Sequence, residues 1–277
     1  MLNDELQTKY EELCQTVRSL GRVVVAFSAG VDSTLMLKVA LEVLGADDVV
    51  AATGDSDSLA RAEFEEARTL AEQLGARHVI IKTDEFDNDD YLANPTNRCY
   101  YCKTTLYTHL SKYITDNGFD VIVNGINVDD YGDWRPGIAA ADEHRVRAPL
   151  AEAGITKQEV RQLSEWFGLP TADKPASPCL SSRVQYGEEI TPEKLRMIEQ
   201  AESFLKSLGF RECRVRHHHN LARVEVPPDE IAKLADPELR ARIDACFREL
   251  GYNYVTLDLR GFRSGSMNEV IPLSVRR

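Results

Sequence analysis

The sequence predicts an α/β protein: a doubly wound parallel sheet followed by a smaller C-terminal α+β domain. Three observations predict it. Residues 23–27 are a short β-branched run that passes through a turn of small residues, Ser28, Ala29 and Gly30, into a helically spaced segment, 34–43. Apolar strands then alternate with helical segments as far as residue 167. Beyond the proline-rich stretch 169–182 the pattern changes to helix-β-β-α-β. The domains expected are therefore 1–182 and 183–277.

Taken in order, residues 3–20 read as a leading amphipathic helix, apolar at Leu6, Tyr10, Leu13, Val17 and Leu20. A second strand is expected at 48–53, ending in Gly54-Asp55-Ser56-Asp57-Ser58, with a helix at 60–74 and a third strand at 78–82. Residues 84–98 are polar and read as a loop leading into Cys99-Tyr100-Tyr101-Cys102-Lys103. A helix at 104–116 and a fourth strand at 120–124 follow, then a long acidic loop, 125–137, carrying Asp129, Asp130 and Asp133. Residues 146–149 read as a short fifth strand or extended segment. Thr156, with Glu159 three residues on, marks a capping box and a helix to about Phe167. The second domain is expected as helix 191–208, strands 211–217 and 221–226, helix 229–250 and strand 253–258, with an antiparallel sheet.

Composition bounds the function. The 277 residues are 28% charged and 43% hydrophobic, as in an ordinary globular chain. No apolar run approaches the roughly 20 residues that cross a membrane, and the acidic N-terminal helix has no signal-peptide core, so a cytoplasmic location is expected. A net charge of −12 argues against a large nucleic-acid footprint, although residues 211–219 carry enough basic side chains to hold a phosphate. Six cysteines in such a chain point to reduced, metal-bound or catalytic thiols rather than a disulfide framework.

The strand, small-residue turn and helix N-terminus form an anion site, where unpaired N–H groups and the positive end of the helix dipole converge. Gly30 is expected to take the dihedral that other residues avoid. No Gly-Lys-Ser/Thr ending is present, so this is not a Walker loop. The pattern SxGxDS resembles instead the PP-loop of the ATP pyrophosphatases (the adenine nucleotide alpha hydrolase-like fold). Ala29 stands where glycine is usual. Among the cysteines, Cys99 and Cys102 form a CxxC and Cys179 lies in the proline-rich crossing. By themselves these residues fit ordinary thiols, a redox couple, or an open metal site. A 4Fe–4S cluster on three thiolates, with one iron left for an exogenous ligand, suits them better than a closed zinc shell. Cys14, Cys213 and Cys246 fall on predicted elements and read as small core residues.

Several segments together, SAGVDSTLMLKVA, TGDSDSLARAEFEEA, NRCYYCK, WRPG, KPASPCLSSR and YVTLDLRGFRSGSMNE, resemble the PP-loop sulfur transferases of nickel-pincer nucleotide cofactor biosynthesis (the LarE family) over nearly the whole chain. Three cysteines at 99, 102 and 179 are similar to that family's iron–sulfur type rather than to the type that sacrifices one cysteine. The resemblance implies an ATP-dependent sulfurtransferase that adenylates a pyridinium-3,5-biscarboxylic acid mononucleotide and replaces oxygen with sulfide from a 4Fe–4S cluster. What recharges that cluster is unknown. It implies a cradle of Ser28, Ala29, Gly30, Asp32 and Ser33 for ATP, Asp32 helping to hold Mg2+, and Ser56 near the adenosine. Lys103 is read as a phosphate neutraliser or a solvated charge. Arg183, beside Cys179, is suited to a carboxylate or phosphate. Arg214 and Arg216 share a strand face and are implied to bind the substrate phosphate, or else are solvated. His217–His219 are expected at a surface strand end. Asp129, Asp130 and Asp133 assist metal or substrate, or form a solvated acidic loop. The family implies a homo-oligomer, trimer or hexamer. Two other readings use the same PP-loop: a tRNA thiolase or amide-forming adenylating enzyme, and a non-catalytic nucleotide-binding iron–sulfur sensor.

Overall fold

The computed structural model describes residues 2–132, 135–263 and 269; Asp133, Trp134 and residues 264–268 of the closing motif lie outside the described residues. In chain order the elements are α1 (Asp4–Arg18), β1 (Val23–Ala26), α2 (Val31–Leu44), β2 (Val49–Asp55), α3 (Arg61–Gln73), β3 (Arg77–Lys82), α4 (Asp89–Leu92), α5 (Arg98–Asn117) and β4 (Val121–Val123). They continue with α6 (Gly137–Glu143), α7 (Pro149–Glu152), α8 (Lys157–Trp166), α9 (Pro192–Ser207), β5 (Arg214–His218), β6 (Leu221–Glu225), α10 (Pro237–Glu249) and β7 (Tyr254–Leu257). The chain divides into two compact units, Met1–Glu85 with Asn97–Ser177 and Phe86–Thr96 with Pro178–Arg277.

In the first unit four parallel strands lie in the order β3-β2-β1-β4. The β-branched runs of β1 and β2 are buried on both faces because helices cover both. Val23, Val25 and Val49 pack into one cluster with Leu6, Leu13, Leu35 and Leu163, drawn from α1, α2 and α8. Val24, Val50 and Ala52 pack into another with Tyr107, Leu110, Ala140 and Ala141, from α5 and α6. This is the doubly wound arrangement expected. Asn3 caps α1, accepting from the Leu6 N–H at 2.8 Å. Thr156 and Glu159 form the expected capping box of α8. Lys9 reaches Glu159 at 2.7 Å and ties α1 to that cap.

Three local expectations change. Residues 146–149 are not a strand: only the bridge Val123↔Arg147 forms, and Pro149 opens α7. The acidic loop contains a short helical turn, Val128–Gly132, and runs into α6, whose Ala140 and Ala141 are buried. The CxxC lies within α5, which begins at Arg98 rather than near 104.

The second unit is smaller. Segment 86–96 joins it through backbone bonds, Gly187 N–H to Asn94 O and Ile190 N–H to Leu92 O, both 2.9 Å. The Asn94 amide adds bonds to three carbonyls, those of Val184, Gln185 and Glu188. The boundary therefore falls at 177/178 instead of 182/183, with 86–96 contributed from within the earlier sequence. The sheet, β5-β6-β7, is mixed and not antiparallel throughout: β5 and β6 form a hairpin, but α10 carries the chain back so that β7 runs parallel to β6. Asp236 and Pro237 break the predicted helix 229–250, with Asp236 capping α10. The core gathers Phe210, Cys213, Val215, Phe247 and Tyr252. Among the described residues no helix is long and apolar enough to cross a membrane.

The capping box sets the start of α8 and so the position of Lys157. Thr156→Ala is expected to lower stability by about 1 kcal/mol, read as a fall in the urea midpoint at unchanged slope.

Candidate active site

The turn between β1 and α2 is built by its own small side chains. Ser33 Oγ accepts from the Ser28 N–H at 3.2 Å and lies 3.1 Å from Ser28 Oγ. Gly30 is the N-cap of α2 and supplies no side-chain cap, so the first-turn N–H groups are left for an anion. The unusual dihedral falls one residue earlier than expected: Ala29 has φ 55°, whereas Gly30 has an ordinary −78°. A left-handed alanine costs roughly 1–2 kcal/mol. Burial of its fully enclosed methyl offsets part of that, about 0.8 kcal/mol. This is the physical reason glycine suits position 29.

Gly125, directly after β4, lies against this turn. A Cβ there would stand 2.7 Å from Ser33 N and 2.8 Å from the Asp32 carbonyl carbon, both backbone atoms. Beside it a charged network assembles at the carboxyl ends of the strands. Asp32 takes a 2.5 Å contact from Lys157 Nζ and a 3.1 Å bond from the Asn127 amide, which also donates to Asp130. Asp130 is buried and pairs with Arg135 at 2.8 Å. Burial pushes its carboxyl above the usual range, against the opposing pull of the Asn127 N–H and Arg135. Asp129 caps α8 through the Lys157 N–H at 2.9 Å. Asp130 is thus an ordered counter-charge for Arg135, whereas Asp129 is exposed and Asp133 lies outside the described residues. Asn124 contributes a buried amide nitrogen with no protein partner.

A second lysine reaches the turn. Lys174 Nζ lies 3.2 Å from Ala29 O and 2.8 Å from each of Glu63 and Glu66. Burial acts to lower its pKa, but the two carboxylates raise it further, so it keeps its charge. On the neighbouring strand, β2 extends through Asp55. Ser56 follows it with its hydroxyl 2.8 Å from that of Ser58, and its carbonyl accepts from Arg61. Lys103 is exposed, its stem against Gly137.

The candidate thiols are divided between the units. Cys99 and Cys102 occupy the first turn of α5, three residues apart and so on one helix face; this corrects the expectation of an irregular segment. Cys179 precedes the short helical turn Leu180–Arg183 in the second unit. None of the three is in a disulfide; Cys99 is exposed and the other two half-buried. The donor set therefore fits a thiolate-bound cluster in kind, although among the described residues no group of three or more His, Cys, Asp or Glu is arranged to hold a metal ion. Cys213 is fully buried, its thiol pushed up to about 12 chiefly by burial, and reads as core.

In the second unit the predicted arginines are buried, not solvated. Arg183 makes a two-pronged pair with Glu202 and donates to the carbonyls of Pro178 and Cys179. Its guanidinium holds the Cys179 backbone rather than standing open to a ligand. Arg216 pairs with Glu225 at 2.8 and 3.0 Å and reaches Ser182 O. Arg214 stacks over Phe262 and donates to Cys213 O. Burial lowers its pKa, and the nearby charges of Arg183 and Arg216 lower it further. His217 is also buried, against Tyr252 and Glu188, where a surface strand end was expected; His219 is the exposed member of the three.

The parallel sheet and its uncapped small-residue turn define a PP-loop nucleotide-binding domain. The family model described as NAD synthase matches residues 5–92. The chain is 47% identical over 266 residues to an uncharacterised protein of Synechocystis, covering 96% of this chain and 99% of that one. It is 40% identical over 267 residues to the pyridinium-3,5-bisthiocarboxylic acid mononucleotide synthase of Lactiplantibacillus plantarum, covering 96% of each chain. A tRNA-specific 2-thiouridylase of Azorhizobium caulinodans is 31% identical over 215 residues, covering 63% of this chain and 54% of its own. The chain belongs to the family of pyridinium-3,5-bisthiocarboxylic acid mononucleotide synthases, the PP-loop sulfur transferases of nickel-pincer cofactor synthesis.

Sequence reasoning missed Gly125, Asn127, Lys157 and Lys174; a glycine immediately after a predicted strand was the available signal for the first. Gly125→Ala forces the β4 end away from the first turn of α2. It is expected to cost about 1–3 kcal/mol in stability and to weaken ATP binding more than tenfold, checked by chemical denaturation and equilibrium dialysis.

Proposed function

We propose that this chain binds ATP at the PP-loop and adenylates the carboxylates of pyridinium-3,5-biscarboxylic acid mononucleotide, converting them to thiocarboxylates. The observation that carries the reading is the uncapped PP-loop turn in a chain that matches the Lactiplantibacillus synthase over 96% of both lengths. A carboxylate oxygen of the substrate attacks the α-phosphorus, and pyrophosphate leaves with the bonding electrons of the broken P–O bond. A sulfur nucleophile then adds to the acyl carbon, and AMP departs with the C–O electrons to leave the thiocarboxylate.

The residues have distinct duties in this scheme. The first-turn N–H groups of α2, with Ser28 and Ser33, hold the triphosphate. Asp32, tethered by Lys157 and Asn127, is placed for Mg2+, and Ser56 for the adenosine. A 4Fe–4S cluster held by Cys99, Cys102 and Cys179 would supply the sulfide. Arg183 fixes the backbone at Cys179. Arg214 and Arg216 hold the substrate phosphate: the charges of Arg183 and Arg216 act against that of buried Arg214, and an anion there would oppose that effect. The second unit also serves assembly into a trimer or hexamer. A cytoplasmic location agrees with the reduced thiols the scheme needs.

Anaerobic purification of wild type and Cys179→Ala, with iron, acid-labile sulfide and absorption measurements, tests the sulfur source. About four irons per chain, with charge-transfer absorption lost in the variant, is the expected result. Zinc, or no metal, overturns the cluster; pyrophosphate release that fails to depend on the mononucleotide overturns the adenylation itself.

A further inference from the structure

The PP-loop turn carries no lysine of its own, yet an ammonium is held against it. Lys174 Nζ donates to the carbonyl of Ala29, the left-handed residue at the centre of the turn, at 3.2 Å. It is delivered from the proline-rich segment, and the backbone that carries it is fastened. Arg161 donates to Ala172 O at 2.5 Å and to Lys174 O at 3.0 Å. The same segment is pinned to α3 through Ser177 Oγ, which lies 2.9 Å from Glu63 Oε1. The side chain is 13% exposed and meets two carboxylates, Glu63 and Glu66, each at 2.8 Å.

Two carboxylates hold this ammonium beside the turn proposed to take the triphosphate. A phosphate oxygen has to compete with Glu63 and Glu66 for that ammonium, and it gains a charge-assisted bond when it wins. Lys103, read from sequence as a phosphate neutraliser or a solvated charge, is exposed. Lys157 is engaged by the Asp32 carboxylate.

We propose that Lys174 is the polyphosphate-binding lysine of this PP-loop, held ready by Glu63 and Glu66 and passed from them to a phosphate oxygen beyond the α-phosphate when ATP binds. The proposal rests on the reading of the turn as an ATP site. Because both glutamates sit on α3, which follows the Ser56 loop at the end of β2, the exchange links the adenosine side of the site to the phosphate side.

Affinities of the full chain for AMP and ATP, measured by equilibrium dialysis on wild type, Lys174→Ala and the double variant Glu63→Gln/Glu66→Gln, test it. Lys174→Ala is expected to weaken ATP about ten- to a hundredfold, the loss of one charge-assisted bond, while AMP affinity stays within about twofold. The double glutamine variant is expected to bind ATP several-fold more tightly than wild type, since the competing carboxylates are gone. Unchanged ATP affinity in Lys174→Ala, an equal loss for AMP and ATP, or weaker ATP binding in the double variant overturns the assignment while leaving the PP-loop reading in place. A wild type that binds neither nucleotide overturns both.

Discussion

The candidate active site depends on one close approach, the backbone of Gly125 against the first turn of α2. β4 pairs with β1 in parallel, so its carboxyl end arrives beside the turn that follows β1. Absence of a side chain at 125 lets the two backbones meet at distances that any Cβ would violate. Two residues on, Asn127 donates to Asp32 and to Asp130 of the acidic loop. Independently, Gly30 provides no side-chain cap to the helix N-terminus. Sheet topology, a missing Cβ and a missing cap together create the anion site.

Charge around this site is arranged by pairing. Asp32 faces Lys157, Asp130 faces Arg135, and Lys174 faces Glu63 and Glu66. Partly buried pairs of this kind contribute little net stability, since desolvation offsets much of the attraction. They do fix where each charge stands. In the second unit Arg183, Arg214 and Arg216 face Glu202 and Glu225, whose side chains are buried almost completely. Burial and the charges of Arg183 and Arg216 act together on the Arg214 guanidinium and lower its pKa.

Much of the fold was legible because its signals were local. The β-branched runs of β1 and β2, the apolar spacing of α1 and the Thr156–Glu159 box each predict an element from a few neighbouring residues. What the sequence concealed was long-range. Capture of 86–96 by the second unit runs through Asn94, whose amide bonds lie about 90 residues away in sequence. The parallel pairing of β7 is a consequence of the α10 crossover. Ala29 and Gly30 show how local reading can mislead: glycine marked the strained position, and the neighbouring alanine occupies it. Lys157 and Lys174 were hidden for a simpler reason. A lone lysine in sequence has no visible partner until the fold supplies its carboxylates.

The same distinction between local identity and folded surroundings sorts the cysteines. A sulfur that enters chemistry has to be reachable and able to reach its thiolate form. Cys213 meets neither condition: it is fully buried and its thiol is pushed up to about 12. Cys246 is half-buried and packed against the core of the second unit, and its thiol too is pushed up by burial and by Glu249. Cys99 and Cys102 share one face of the opening turn of α5, the first exposed and the second half-buried. Cys179 stands before a single helical turn, its carbonyl held by an arginine that is itself locked by Glu202. Rigid backbone beneath an accessible sulfur is the arrangement a metal cluster or a transferring thiol requires. Cys99, Cys102 and Cys179, the cysteines proposed to hold the cluster, stand outside the hydrophobic core that takes Cys213 and Cys246.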